Sequence, residues 1–400
     1  METCKFLILG AGPSGLAFAH TLRDLGEESF LIVEKEDSSG GLCRSASVDG
    51  APLDIGGGHF LDVRRREVLE LLFRFMPESE WRSYDRLATI RISDLEIEHP
   101  LEANLWRMPI AAQVDYLGAI AESGAVRGDK RPTSFQDWVV WKMGRKIAED
   151  YMLPYNRKIW SLDLNLLGTY WLHKLPDVSF REVLLSCLQR KANGSLPAHG
   201  RFLYPQQHGY GEVWRRMGDA LGDKVRLGTE VTEIDLGDKT VNRSYRATVL
   251  VNTLPWNVWN RAACLPPPIA AAVHRLVHTS IDVDYHPESP GSKAHWIYEP
   301  NEAISYHRIL CRGNFTANGR GFWTETNSVR SPLQKAWRHH NEYAYPVNTI
   351  DKPEAMRVID KWARANAVLP LGRWGTWEHM NSDIAVSLAM VAAQRAVQDT

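Results

Sequence analysis

The sequence predicts an α/β protein in which a Rossmann-like dinucleotide-binding domain carries a helical insertion and is joined to an antiparallel β-sheet. Three observations predict it. An apolar strand, Phe6-Leu7-Ile8-Leu9, runs into Gly10-Ala11-Gly12-Pro13-Ser14-Gly15 and then into helical spacing. A second apolar run, Phe30-Leu31-Ile32-Val33, ends in Glu34 about twenty residues beyond those glycines. Long stretches of helical and then of strand-like periodicity follow.

Each element of the first unit has a physical reason. Gly10 and Gly12 permit a tight turn and let backbone approach a pyrophosphate, while Gly15 lets helix and strand pack closely. Pro13 and Ser14 open a helix whose free N–H groups face the anion. Glu34, followed by Lys35, is placed to accept hydrogen bonds from a ribose. Gly40-Gly41-Leu42-Cys43-Arg44-Ser45 is a second glycine-rich turn, suited to holding the same pyrophosphate from its other side, which points to FAD. Gly56-Gly57-Gly58-His59-Phe60 then brings backbone against a flat ring with few side chains in the way. His59 there suits tuning that ring or bonding substrate, or it satisfies loop backbone.

Four hundred residues exceed one typical domain, and 44% apolar with 24% charged residues describe an ordinary globular chain of two or three domains. The formal net charge is -1 with no long single-sign run, so nothing points to nucleic acid or a membrane surface. An anionic ligand must be met by local arginines. Cysteines at 4, 43, 187, 264 and 311 show neither CxxC nor metal-ligand spacing; we expect free thiols, no metal and a cytoplasmic protein. No run approaches the ~18 apolar residues of a membrane helix, and no leader is expected.

Residues from about 65 to 195 carry helical spacing, as in Val68, Leu69, Leu71, Leu72 and Phe75 and again in Phe135, Trp138, Val139 and Met143. Strand-like residues run from Val225 to Ile234, and β-rich runs from 275 to about 330. A last helix starts near Asp383, with Ile384, Leu388, Val391 and Ala392 on one face to pack against the first domain. These readings give a discontinuous dinucleotide domain of 1–75, 200–265 and 366–400, a mainly helical domain of 76–199 and an antiparallel β-sheet substrate domain of 266–365.

Pro154-Tyr155-Asn156-Arg157-Lys158-Ile159-Trp160, with Trp171 eleven residues beyond, closely resembles a motif of the UDP-galactopyranose mutases. The resemblance continues in order along the chain. It takes in Arg201-Phe202-Leu203-Tyr204-Pro205 with Gly209-Tyr210-Gly211, Trp296-Ile297-Tyr298 with Arg308, and Tyr345-Pro346-Val347-Asn348. It ends on Gly372-Arg373 leading to Asn381 and Asp383. The wider superfamily holds amine oxidases and protoporphyrinogen oxidases. The resemblance implies bound FAD whose reduced N5 attacks the anomeric carbon of a nucleotide-diphosphate sugar, so that the sugar reopens and recloses between pyranose and furanose forms. Such chemistry needs a cationic grip on the diphosphate and a flavin kept reduced, by NAD(P)H or a partner reductase. By resemblance Arg308 grips the diphosphate, Tyr298 and Tyr345 donate hydroxyls, Asn156 and Trp160 lie beside sugar and flavin, and Arg373, Asn381, Asp383 and Ile384 lie beside the flavin. Val231 and Thr253 would lie along the dinucleotide; as bare sequence each could be ordinary sheet. The implied setting is cell-surface polysaccharide or sugar natural-product biosynthesis, with the oligomeric state open.

The departures sit on the leaving-group side. His379 stands where the family commonly has a tyrosine, Asn381 where bacterial members have an acid, Leu175 beside Lys174 where eukaryotic members have an arginine, and His199 where an asparagine is usual. Each lost charge-assisted contact costs on the order of 1.5–3 kcal/mol, unless His199 and His379 replace them when protonated. The substrate is therefore a nucleotide sugar or another small molecule. An FAD-dependent oxidoreductase of amine oxidase or dehydrogenase type is the second reading. A third, a cofactor-free binding protein like the GDP-dissociation inhibitors, is opposed by Glu34, Arg44 and His59 in their motifs.

Overall fold

The computed structural model describes residues 1–126, 128, 130–172, 178–193, 200–332 and 336–398. Strand β1 (Glu2–Leu9), helix α1 (Pro13–Asp24) and strand β2 (Phe30–Val33) open the chain. β1 lies between β2 and the strand Tyr245–Asn252, parallel to both, with Phe6 opposite Phe30 and Val249. Residues Phe6 to Leu9 and Phe30 to Val33 are all buried, because helices cover both faces of the sheet. On one face Phe6, Ile8 and Ile32 meet Leu16 and Phe18 of α1; on the other Leu7, Leu9 and Val33 meet Trp256 and Trp259.

The strand-like stretch from Val225 to Ile234 condenses into two short strands, Val225–Arg226 and Ile234–Asp235. Between them the backbone turns to bond the chain leaving β2: Gly228 N–H donates to the Glu36 carbonyl and Thr229 N–H to the Glu34 carbonyl, at 2.9 and 2.7 Å. This bonding draws residues 228 and 229 out of the sheet.

A second sheet runs in the order Arg338–Pro346, His278–His286, Phe322–Asn327, Arg308–Leu310, Trp296–Tyr298, Ala88–Ile92, Leu95–Glu98. Its last two strands lie inside the segment expected to be mainly helical, as does Trp81–Asp85, which pairs with Arg201–Pro205. The helical reading holds for Ile110–Val126, Phe135–Met143, Leu153–Trp160 and Phe180–Gln189. It fails over 81–98 because the apolar residues there alternate, as in Ala88, Ile90 and Ile92 against Thr89 and Arg91, a period of two. Conversely, the segment expected to be a β-sheet domain contains the helices Pro267–His274 and Lys352–Ala365. Their buried Ile269, Val273, Met356 and Ile359 complete the core on the outer face of the first sheet.

The C-terminal helix Ser382–Gln398 packs on α1, but not through the face expected. Leu388 and Val391 are 48% and 40% exposed, whereas Ala385, Val386, Ala389 and Ala393 are buried. The small buried side chains Ala385, Ala389 and Ala393 let the two helices approach closely, and the larger Leu388 and Val391 are left at the rim.

Candidate functional site

The turn after β1 forms an anion cradle. Gly12 caps α1 with no side-chain hydrogen bond, which leaves the helix N–H groups to a ligand. The second glycine turn faces it at close range: a Cβ on Gly41, whose φ is +54°, would lie 3.3 Å from the Gly12 Cα. Glu34 is buried, and its carboxylate accepts the Ala11 N–H at 2.7 Å and the Glu36 N–H at 3.1 Å, so the acid is held at the cradle before any ribose arrives. Arg44 is held by the Gly41 carbonyl and by Glu36, both at 3.1 Å.

These groups line a cavity of about 290 Å³ together with Gly10, Pro13, Ser14, Lys35, Leu42, His59, Thr253 and Arg373. Several residues expected beside the cofactor do not line it. Gly15 acts through packing, since a Cβ there would lie 2.1 Å from the Gly10 carbonyl oxygen. Gly57 has φ +95° and lies against Glu325, where a Cβ would meet Oε1 at 2.7 Å; Gly58 donates its N–H to that oxygen at 2.8 Å. Val231 is packed into the core of the outer sheet face. Asp383 is buried in an ion pair with Arg65 at 3.0 Å, and Ile384, beside it on the helix, also stays off the cavity wall. The far wall, His339-His340-Asn341-Glu342-Tyr343, carried no sequence signal, because only the pairing of Arg338–Pro346 with His278–His286 brings it there.

A second cavity, of about 460 Å³, shares His59, Arg373 and Ser382 with the first. Arg308, His59, Asn156, Trp160, Tyr298, Tyr345 and His379 all line it, and Gly58, Phe60 and Asn381 lie on its wall rather than on that of the first. Four arginines line it against two carboxylates, Asp62 and Glu102. Lys174, Leu175 and His199 lie outside the described residues.

Arg308 is the best-anchored cation of this cavity. Its Nε and Nη2 donate to Glu325 Oε2 at 3.0 and 2.5 Å, and Nη2 reaches the Tyr345 hydroxyl at 3.4 Å. Burial alone would raise the Glu325 carboxyl, but the Arg308 charge overrides it and holds that carboxyl at about 2. Burial likewise opposes the Arg308 charge, and Glu325 restores it, pushing the guanidinium well above its ordinary value. Sequence reading missed Glu325, whose importance comes from the strand register that sets it opposite Arg308.

Arg373 differs in kind. It donates to the carbonyls of Ala344 and Met380, at 3.0 and 2.8 Å, and its guanidinium carbon stands 5.7 Å from the Tyr345 ring centre. Burial lowers its proton affinity, and among the described residues no carboxylate pairs with it. A buried cation held by carbonyls alone favours a ligand that brings negative charge. His59 is pushed down to about 4, by burial first and by Arg373 second, so its ring stays neutral; Nδ1 lies 3.1 Å from the Gly57 carbonyl. Because a carbonyl only accepts, that contact places the proton on Nδ1 and leaves Nε2 as an acceptor.

Asn156, on the wall of the second cavity, also orients a neighbour. Its amide donates to the Met152 carbonyl at 2.7 Å and accepts from Trp160 Nε1 at 2.9 Å, so it fixes the Trp160 ring. Trp160 in turn meets Tyr345 edge to face at 6.2 Å, and Tyr345 meets His379 at 5.0 Å. A π-helical turn, Ala148–Met152, precedes this helix, where Pro154 lacks the N–H that an α-helix would use. Asn156→Ala is expected to leave the buried indole N–H unpaired and to cost about 1–3 kcal/mol in chemical denaturation. An unchanged denaturation midpoint would contradict that role.

The first cavity defines a dinucleotide-binding protein of Rossmann type, with a second, cationic cavity opening from it. A family model described as an NAD(P)-binding Rossmann-like domain matches residues 8–75. Among solved structures, a reduced UDP-galactopyranose mutase superposes with a TM-score of 0.90 at 21% identity, covering 100% of this chain and 95% of that one. A putrescine oxidase with bound putrescine superposes with a TM-score of 0.68 at 15% identity, covering 99% of each chain. A Baeyer-Villiger monooxygenase of Pseudomonas aeruginosa is 44% identical over 52 residues, which are 13% of this chain and 10% of that protein. The chain thus shares its complete fold with the mutase and, less closely, with the oxidase. All five cysteines are free thiols, and among the described residues no helix is long and apolar enough to cross a membrane.

Proposed function

We propose that this chain binds FAD across the Gly12–Gly41 cradle and interconverts pyranose and furanose forms of a nucleotide-diphosphate sugar in the second cavity. The carrying observation is the charge of that cavity. Four arginines face two carboxylates there, and the acid nearest Arg308 is spent on holding it. Such a wall attracts a diphosphate and repels the ammonium group of an amine substrate. When bound and reduced, FAD would supply the nucleophile for displacement at the sugar's anomeric carbon.

The residues present fit the cofactor: the bare helix N-terminus and the close glycine turns leave room for a pyrophosphate, and the Glu34 carboxylate stands where a ribose can donate to it. Arg373 opens on both cavities and would favour negative charge on a reduced ring. Arg308, oriented by Glu325, would bind the diphosphate and stabilise the charge it gains on leaving, and the Tyr345 and Tyr298 hydroxyls line the same wall. Neutral His59 offers Nε2 as an acceptor for a sugar hydroxyl.

Incubating the reduced protein with UDP- and GDP-hexoses and separating the products by chromatography tests this reading. A furanose product is expected. Unchanged nucleotide sugars together with oxidation of supplied amines would favour the oxidoreductase reading instead.

A further inference from the structure

The proposed chemistry uses Arg308 and Arg373 of the four arginines on the second cavity. The other two differ from each other. Arg201 is exposed and pairs with Asp85 at 3.3 Å. Arg86 has neither a carboxylate nor a carbonyl: among the described residues its guanidinium makes one hydrogen bond, from Nη2 to the Tyr298 hydroxyl at 3.4 Å. Its guanidinium carbon stands 4.9 Å from the Trp296 ring centre. The ring and the hydroxyl fix this cation in place without neutralising it. Its other N–H groups are neither bonded nor buried, and Arg86 lines the cavity.

Tyr298 joins this cation to Arg308. Its hydroxyl accepts from Trp296 Nε1 at 3.0 Å as well as from Arg86, and both of those groups can only donate. The Tyr298 hydrogen is thus left for another acceptor, and none of the described residues supplies one. Strand register sets Tyr298 directly opposite Arg308, so the two side chains leave the sheet on the same face. Arg308 repeats the arrangement with Tyr345, whose hydroxyl accepts from Nη2 at 3.4 Å. Arg86, Tyr298, Arg308 and Tyr345 therefore form a run of donors on one wall.

We propose that the two guanidinia hold different phosphoryl groups of the nucleotide diphosphate, Arg308 one and Arg86 the other, with the Tyr298 hydroxyl donating between them. A diphosphate carries its charge on two linked phosphoryl groups, and one guanidinium fork matches the oxygens of one group. Arg308 also directs its Nε and Nη2 to Glu325, and that pair is neutral as a whole. Arg86 is the cation on this part of the wall whose charge no protein group offsets.

The inference rests on the nucleotide-sugar reading, and calorimetric titration of the flavin-loaded protein with UDP, UMP, GDP and GMP separates the two. Arg86→Met, whose unbranched stem keeps the contact with Trp296, is expected to weaken diphosphate binding by about tenfold to a hundredfold, and so is Arg308→Met combined with Glu325→Gln. A monophosphate has one phosphoryl group, so only one of these two variants is expected to weaken it. Tyr298→Phe, which keeps the ring and removes the donated hydrogen, is expected to weaken the diphosphate about tenfold. Two results would overturn the assignment of Arg86 alone. One is diphosphate affinity unchanged in Arg86→Met. The other is a loss in both variants as large for the monophosphate as for the diphosphate, as a purely structural role of Arg86 would give. Binding of none of these nucleotides, with a diamine such as putrescine bound instead, would overturn both this assignment and the nucleotide-sugar reading.

Discussion

Arg308→Ala is expected to lower kcat/KM for the nucleotide sugar by roughly 10²–10³, the scale of one lost charge-stabilising contact in a desolvated site. It should also destabilise the fold by about 3–5 kcal/mol, because Glu325 would remain buried with its counter-charge gone. The two effects can be separated. In the double variant Arg308→Met with Glu325→Gln neither charge is present, and the new amide oxygen can still accept the Gly58 N–H that Glu325 now binds. The double variant is expected to recover most of the stability and none of the turnover. Denaturation midpoints and steady-state kinetics on the same preparations check this. Recovery of turnover in the double variant would remove Arg308 from the chemistry.

Gly12→Val is expected to abolish flavin binding while leaving the fold intact. At Gly12, φ is −76° and ψ is 177°, a conformation valine adopts readily, and an added Cβ would meet nothing within 4 Å. The space a valine would fill belongs to the cradle that faces Gly41. Overpacking against a pyrophosphate there costs roughly 1–3 kcal/mol from the clash alone, before the lost N–H contacts, so an affinity loss of about 10²-fold or more is expected. The purified variant should lack the visible absorbance of flavin and keep the far-UV circular dichroism of the parent. Normal flavin content would place the cofactor elsewhere.

The first forty-five residues are legible because their chemistry is local. A tight turn, a bare helix end and an acid at the end of the next strand leave a signature in consecutive residues, and Glu34 and the Gly12–Gly41 approach lie where that signature puts them. The second cavity is legible only through motifs scattered from Asn156 to His379, which spacing alone could not bring to one wall. What stays hidden is set by pairing between distant segments. Glu325 is one acid in an ordinary strand until register places it opposite Arg308, and Arg86 is unremarkable until strand pairing brings it to Trp296 and Tyr298.

Two misreadings have different causes. The helical reading reaches 81–98 only by extension from the spacing at Val68 to Phe75 and at Phe135 to Met143, whereas Leu388 and Val391 read as the buried face of the last helix because large side chains dominate the pattern. In the structure the alternation of smaller and β-branched residues makes strands of the first, and alanines make the contact in the second. Asp383 misleads in another way: it occupies the expected place in the chain, but Arg65, more than three hundred residues away, claims its carboxylate.

On this account a reduced flavin, and not a flavin cycling through oxidation, serves a cationic cavity made for a nucleotide diphosphate. Turnover of nucleotide sugars measured side by side on the oxidised protein in air and on the dithionite-reduced protein without oxygen tests it most directly. Conversion between ring forms only in the reduced sample, with no net consumption of reductant, is the expected result. Turnover only in the oxidised sample, with hydrogen peroxide formed in proportion to product, would contradict it.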